Sequence, residues 1–191
     1  MEFKTLLEKR RSVRKFAPTA VPSEVVDRLL AETLGAPSSR NSRSTRLLVV
    51  DDPEVVARMA SMRDYGSAFM KGAPLAIVVL GDTACSDLWR INAAISATVL
   101  HLACVDEGLA SCWVHIDGRP RLKAEPQGGV GGRLSADVPP HSRGVRTALR
   151  AGHRLFGLRA GAAARGRRQQ PHHPPLSRGG RGGRGGPGTL C

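Results

Sequence analysis

The apolar positions of residues 1–127 fall into runs that alternate between a helical and a strand period. Phe3, Leu6 and Leu7 share one face of a short first helix, which ends in the basic cluster Arg10-Arg11-Ser12-Val13-Arg14-Lys15. Pro22-Ser23 reads as a second helix start with Ser23 as N-cap; Val25, Val26, Leu29, Leu30 and Thr33 keep helical spacing until Gly35 stops the run. The turn residues of Ala36-Pro37-Ser38-Ser39-Arg40-Asn41-Ser42 predict a loop. Leu47-Leu48-Val49-Val50 predicts a buried strand. A third helix follows, with Asp52 as cap, Pro53 in the first turn, Glu54 at the positive helix end, and Val55, Val56, Met59 and Met62 on its face. Leu75-Ala76-Ile77-Val78-Val79-Leu80 is a second buried strand. The longest helix covers residues 86–107, with Ile91, Ala94, Ile95, Thr98, Leu102 and Val105 as its apolar stripe and alanines that permit close packing. Gly108 suits the C′ position, and Ser111-Cys112-Trp113-Val114-His115-Ile116 predicts a third strand. Helices alternating with strands indicate a layered α/β or α+β domain.

After Gln127 the periodicity stops. A weak apolar stretch over residues 149–158 is all that remains, and Ser177-Arg178-Gly179-Gly180-Arg181-Gly182-Gly183-Arg184-Gly185-Gly186 is of low complexity. A chain of 191 residues suits one core. The formal charge of +13 suggests a nucleic-acid binder until it is divided. Residues 1–127 hold 17 Lys and Arg against 15 Asp and Glu, whereas residues 128–191 hold 12 Arg against one acid, Asp137. The tail also carries 16 of the 22 glycines and no Lys, Ile, Met, Asn, Glu or Tyr. So few large apolar side chains cannot offset chain entropy, so residues 128–191 are expected to be disordered or loosely packed, as an Arg/Gly/Pro-rich unit separate from 1–127. RNA or polyanion binding through this RGG-type tail is the alternative function. Against it, the tail has one aromatic, Phe156, for stacking, and the front has no basic stripe, so contact with nucleic acid is expected to be non-specific.

The cysteines, at 85, 104, 112 and 191, show no C-x-x-C spacing, and His172-His173 lies in a Pro/Gly-rich stretch; no metal site is expected. There is no secretory h-region and no apolar run long enough to span a bilayer, so a reduced, cytoplasmic protein without membrane contact is expected.

Three segments, in order, carry a resemblance. Arg10-Arg11-Ser12-Val13-Arg14-Lys15-Phe16 is like R-R-S-x-R-x-F, Ala36-Pro37-Ser38-Ser39-Arg40-Asn41-Ser42 is like A-P-S-x-x-N-x-Q-P-W, and Gly108-Leu109-Ala110-Ser111-Cys112-Trp113 is like G-L-G-S-C-W after a long Ala-rich helix. Together they resemble the FMN-dependent nitroreductase family. The departures are Arg43-Ser44-Thr45 in place of Q-P-W and Ala110 in place of the third glycine.

The resemblance implies an α+β, nitroreductase-like three-layer fold, with a central mixed β-sheet flanked by helices, incomplete at the C-terminus. It implies a homodimer with FMN at the subunit interface, NADH or NADPH as electron donor, and a nitroaromatic, quinone or similar small-molecule acceptor reduced by ping-pong hydride transfer. Arg10, Arg11, Ser12 and Arg14 would contact the FMN phosphate and ribityl chain, where a dianion favours guanidinium forks and hydroxyl donors. Without the resemblance they read as a solvated basic helix end. Pro37, Ser38, Ser39 and Asn41 would approach the flavin from the partner subunit; otherwise they form a surface turn. Ser111, Cys112 and Trp113 would lie near the isoalloxazine ring; otherwise they are core strand. No protein nucleophile is expected, since hydride chemistry belongs to the flavin. His101 and His115 read as packing or surface residues, and Trp89 with the helix after it as the dimer core.

The family continues with a short helix, a sequence like I-P and a strand ending in Gly, together with a further basic residue on the phosphate. Residues 128–191 lack that order. Coding sequence read out of frame explains both the missing segment and the change in composition. Codons allowed for residues 129–142, read one nucleotide later, permit A-S-A-E-D-Y-L-R-T-F-L-H-I-P. In that case the chain would be a damaged enzyme or an inactive remnant, with poor folding or weak FMN binding.

Overall fold

The computed structural model describes residues 1–120, 122 and 124, and the backbone of two further strands at 145–147 and 154–161. In chain order the elements are α1 (Phe3–Lys9), α2 (Ser23–Leu34), a 3-10 turn (Ser39–Asn41), β1 (Thr45–Val50), α3 (Pro53–Ala60), a second 3-10 turn (Ala68–Gly72), β2 (Ala76–Gly81), α4 (Trp89–Asp106), β3 (Val145–Thr147) and β4 (Arg154–Gly161).

The sheet order is β3-β1-β2-β4. Each ladder is antiparallel: Thr45 faces Gly81 and Val50 faces Ala76 across the central pair, Leu48 faces Thr147, and Ala76 faces Gly161. Outside the ladders, Ser12 and Ser111 form an isolated parallel bridge.

Side chains alternate across a strand, and both faces of this sheet are covered. Leu47, Val49, Ile77 and Val79 point into one core with Val26 and Leu29 of α2 and Trp89, Ala93, Ala97, Leu100 and Cys104 of α4. Leu48, Val50, Ala76, Val78 and Leu80 point into a second core with Val55, Val56 and Met59 of α3, Met62 and Met70. The result is three layers, α2/α4 on one side, the sheet in the middle and α3 with the second 3-10 turn on the other. Two-sided burial explains why Leu47–Val50 of β1 and the whole of β2 are runs without a polar alternate.

Local chemistry fixes most element ends. Asp52 Oδ1 accepts from the backbone N–H of Glu54 at 2.8 Å and of Val55 at 3.3 Å, with Pro53 at the first helical position. Ser23 departs from expectation: it is the first residue of α2, Pro22 holds the cap position, and no side chain caps the helix. Gly81 marks a close approach. A Cβ there would collide with the Trp89 indole, which lies directly over the end of β2. Trp89 is thus buried in the chain's own core.

Two expectations for the later chain are corrected. Among the described residues, 111–116 form no named strand; they carry isolated bridging, with Ser111 paired to Ser12 outside the main sheet. Conversely, strand backbone occurs at Val145–Thr147 and Arg154–Gly161, where the pattern predicts no sustained strand; β-ladders need only backbone donors and acceptors. The RGG stretch lies outside the described residues.

Candidate functional site

Helix α4 organises the first and third motifs through its C-terminal end. Glu107 is the C-cap, Gly108 takes φ +73°, Leu109 N donates to Cys104 O at 2.7 Å and Gly108 N to Val105 O at 3.0 Å. That is the paired bonding of a Schellman ending, and the φ explains the glycine. The chain leaves it directly into Ser111. Val13 N then donates to Ser111 O at 3.0 Å, so the basic cluster is laid beside Ser111-Cys112-Trp113.

Within the basic cluster the side chains divide. Arg11, Ser12 and Arg14 are exposed. Arg11 Nη1 donates to Arg10 O at 2.7 Å, and Arg14 Nη1 to Ser12 O at 3.3 Å, with its guanidinium 5.8 Å from the Phe69 ring. Arg10 is turned inward, with Nη1 3.4 Å from His101 Nε2. Among the described residues none of the three arginines is ion-paired with a carboxylate. Three guanidinium groups that meet no carboxylate among the described residues, beside an exposed hydroxyl, suit a phosphate-bearing anion.

Ser111 and Cys112 are buried and Trp113 half-buried. Burial pushes the Cys112 thiol up, with the Arg14 charge and a hydrogen bond with Ser12 pulling it partly back. Burial likewise pushes Cys104 up to about 12. Both stay protonated near neutrality, so neither is a nucleophile. His101 sits between Arg10 and Ser111, its Nδ1 in a short hydrogen bond with Ser111 Oγ. Burial first, and the Arg10 charge second, hold its pKa below the ordinary value. This junction was not visible in the sequence, where His101 reads as a packing residue; the sole hint is a titratable ring on an apolar helix.

The second motif lies at the other end of α4. Asn92, fully buried, accepts from Ser39 N at 2.9 Å through Oδ1 and donates through Nδ2 to Ser44 Oγ at 2.9 Å and Ser42 Oγ at 3.2 Å. Ser38 Oγ accepts from Arg43 N at 2.9 Å, and Asn41 Oδ1 accepts from Arg43 Nε at 3.3 Å. Pro37 and Asn41 are exposed, and Arg40, Asn41 and Arg43 have φ of 51°, 51° and 46°. Consecutive non-glycine residues in the left-handed region are uncommon and persist where surrounding contacts dictate them. Asn92 is the dictating residue here, and a lone Asn on an Ala-rich helix was its signal. At 1.5 Å per residue, Asn92 and His101 are roughly 14 Å apart along α4. The structure therefore brings the first and third motifs together and leaves the second at a distance.

The apolar stripe expected on α4 is not its core-facing side. Ile91 is 55% exposed, Thr98 is exposed, and Ala94, Ile95, Leu102 and Val105 are half-buried, whereas Ala93, Ala97, Leu100 and Cys104 fill the core. Helix α4 is apolar on two sides.

Residues 7–62 match the Nitroreductase family. Over 137 residues the chain is 29% identical to a putative NADH dehydrogenase/NAD(P)H nitroreductase of Methanothermobacter thermautotrophicus, covering 66% of this chain and 71% of that protein. A similarly described protein of Archaeoglobus fulgidus is 28% identical over 120 residues, 60% and 68% of the two chains. The fold superposes on an FMN-dependent nitroreductase from Clostridium difficile with a TM-score of 0.73 and 27% identity, over 88% of this chain and 90% of that one. Both the sequence match over residues 7–62 and the superposition thus point to nitroreductases. The fold also superposes on a putative nitroreductase from Desulfovibrio desulfuricans solved in complex with FMN, with a TM-score of 0.65 at 22% identity, which bears on the fold alone. The three-layer α+β architecture is that of its structural neighbours. Among the described residues no helix is long and apolar enough to cross a membrane.

Proposed function

We propose that this protein is an FMN-dependent NAD(P)H oxidoreductase that reduces nitroaromatic, quinone or similar acceptors by a ping-pong route. One observation carries the reading: three arginines, without carboxylate partners among the described residues, are held by the Ser12–Ser111 bridge beside Ser111-Cys112-Trp113. FMN would supply hydride acceptance and donation. Arg10, Arg11, Arg14 and the Ser12 hydroxyl would hold its phosphate and ribityl chain. Ser111, Cys112 and Trp113 would line the ring, with the neutral Cys112 thiol adding no competing nucleophile.

Pro37, Ser38, Ser39 and Asn41 would reach the flavin from a second copy of the chain. The separation along α4 supports this, since it keeps a chain's own loop away from its own arginine cluster. The open stripe of Ile91, Ala94, Ile95, Thr98, Leu102 and Val105 supports a homodimer packed along α4. Titrating FMN into the purified chain and following quenching of flavin fluorescence tests the reading. Saturable binding at one FMN per chain is expected. A folded chain that leaves the fluorescence unchanged would overturn it.

A further inference from the structure

The site needs its arginines aimed but not neutralised. A carboxylate behind a guanidinium orients it and cancels its charge; a neutral acceptor orients it and leaves the charge available. Behind Arg10 the chain places His101, on the inner face of α4, with Nε2 3.4 Å from Arg10 Nη1. Arginine can only donate, so Nε2 must carry the lone pair, and the ring proton must sit on Nδ1, which donates to Ser111 Oγ. The Ser111 hydroxyl is in turn hydrogen-bonded with Cys104, whose thiol burial keeps protonated. The donors then run in one direction, from Arg10 to His101 to Ser111 to Cys104. The chain links the phosphate-facing cluster to the ring-facing turn through groups that all stay uncharged except Arg10. A second proton on His101 would remove the acceptor and place two cations side by side.

We propose that His101 is a positioning residue of the flavin site: a neutral Nδ1–H imidazole that aims Arg10 and fixes Ser111 while leaving the Arg10 charge for the phosphate. This rests on the flavin reading above.

The test compares FMN dissociation constants of the full-length wild type, His101→Gln, His101→Leu and His101→Glu, with thermal melts to verify that each is folded. Gln retains an acceptor and a donor, Leu has neither, and Glu orients the guanidinium but neutralises it. His101→Leu should weaken binding about 10-fold, the loss of one hydrogen bond to a charged group. His101→Gln should recover to within about 3-fold of wild type, and His101→Glu should stay as weak as Leu. Equal affinities for wild type and the Leu variant would overturn the positioning role. Equal affinities for Glu and Gln would overturn its charge-sparing basis. If the folded wild type binds no FMN, the flavin reading fails first and this inference with it, whereas binding by the wild type separates the two.

Discussion

Replacing Asn92 by Ala removes three hydrogen bonds that hold the loop from Ser38 to Ser44 on α4. Their contributions are unequal. Ser44 is fully buried, so water cannot replace its lost partner, and an orphaned buried hydroxyl costs about 1–3 kcal/mol. Ser39 and Ser42 are only half-buried, and water can partly substitute, leaving about 0.5–1 kcal/mol each. Alanine is the better helix former, which returns roughly 0.5 kcal/mol. The net loss is about 2–4 kcal/mol, a fall in Tm of roughly 5–15 °C for a chain of this size. Urea melts of wild type and variant, followed by far-UV circular dichroism, measure it. Ser44→Ala in the same assay should lose less, because Asn92 retains its other two contacts. A loss under about 1 kcal/mol for Asn92→Ala would mean that the loop holds its left-handed backbone without α4 and that Asn92 does not dictate it.

Three further outcomes follow. His101 has a lowered pKa when folded, so the unfolded chain takes up its proton first; stability should be level above the ordinary histidine value near 6.5 and decline as pH falls through it towards the folded pKa. His101→Gln should flatten that part of the Tm-against-pH curve, and an unchanged slope would refute the assignment. Cys104 and Cys112, buried and pushed up, should resist alkylation at pH 7–8 until the chain is unfolded, as peptide mapping after iodoacetamide would show; labelling of either in the folded chain would contradict their placement. The out-of-frame account of the tail requires the gene, read one nucleotide later from the Gly129 codon, to stay open and encode a short helix, an I-P and a strand. A stop codon across residues 129–142 in that frame would end it.

The sequence was most legible where local chemistry decides structure. Asp52 and Pro53 could hardly do other than start a helix, and the unbroken apolar runs of β1 and β2 announced burial on both faces. The three motifs were legible as units. Their connections were not, because these depend on single polar side chains, Asn92 and His101, whose partners are 50 to 91 residues away or across a turn. The α4 stripe was read on the wrong side for a reason of the same kind. On a helix that is apolar on two sides, periodicity cannot tell which face the chain's own sheet will take. Ser111 looked like strand because Cys, Trp, Val and Ile follow it, yet pairing with Ser12 takes it away from the main ladder. The strand at Val145–Thr147 left no signal in the pattern, and that at Arg154–Gly161 only the weak apolar stretch over residues 149–158, too short of large apolar side chains to predict a strand.

The contact between Gly81 and Trp89 limits how this protein can change over generations. An added methyl at position 81 collides with the indole, and a shortened side chain at 89 leaves a hole over the end of β2, which in a buried core costs about 3–5 kcal/mol for loss of a Trp. Each single step is harmful, while the pair of steps together, a larger residue at 81 with a smaller one at 89, refills the same space. A lineage that begins with this pair is therefore held on one side of a fitness valley, and the two positions are expected to drift as one site or not at all.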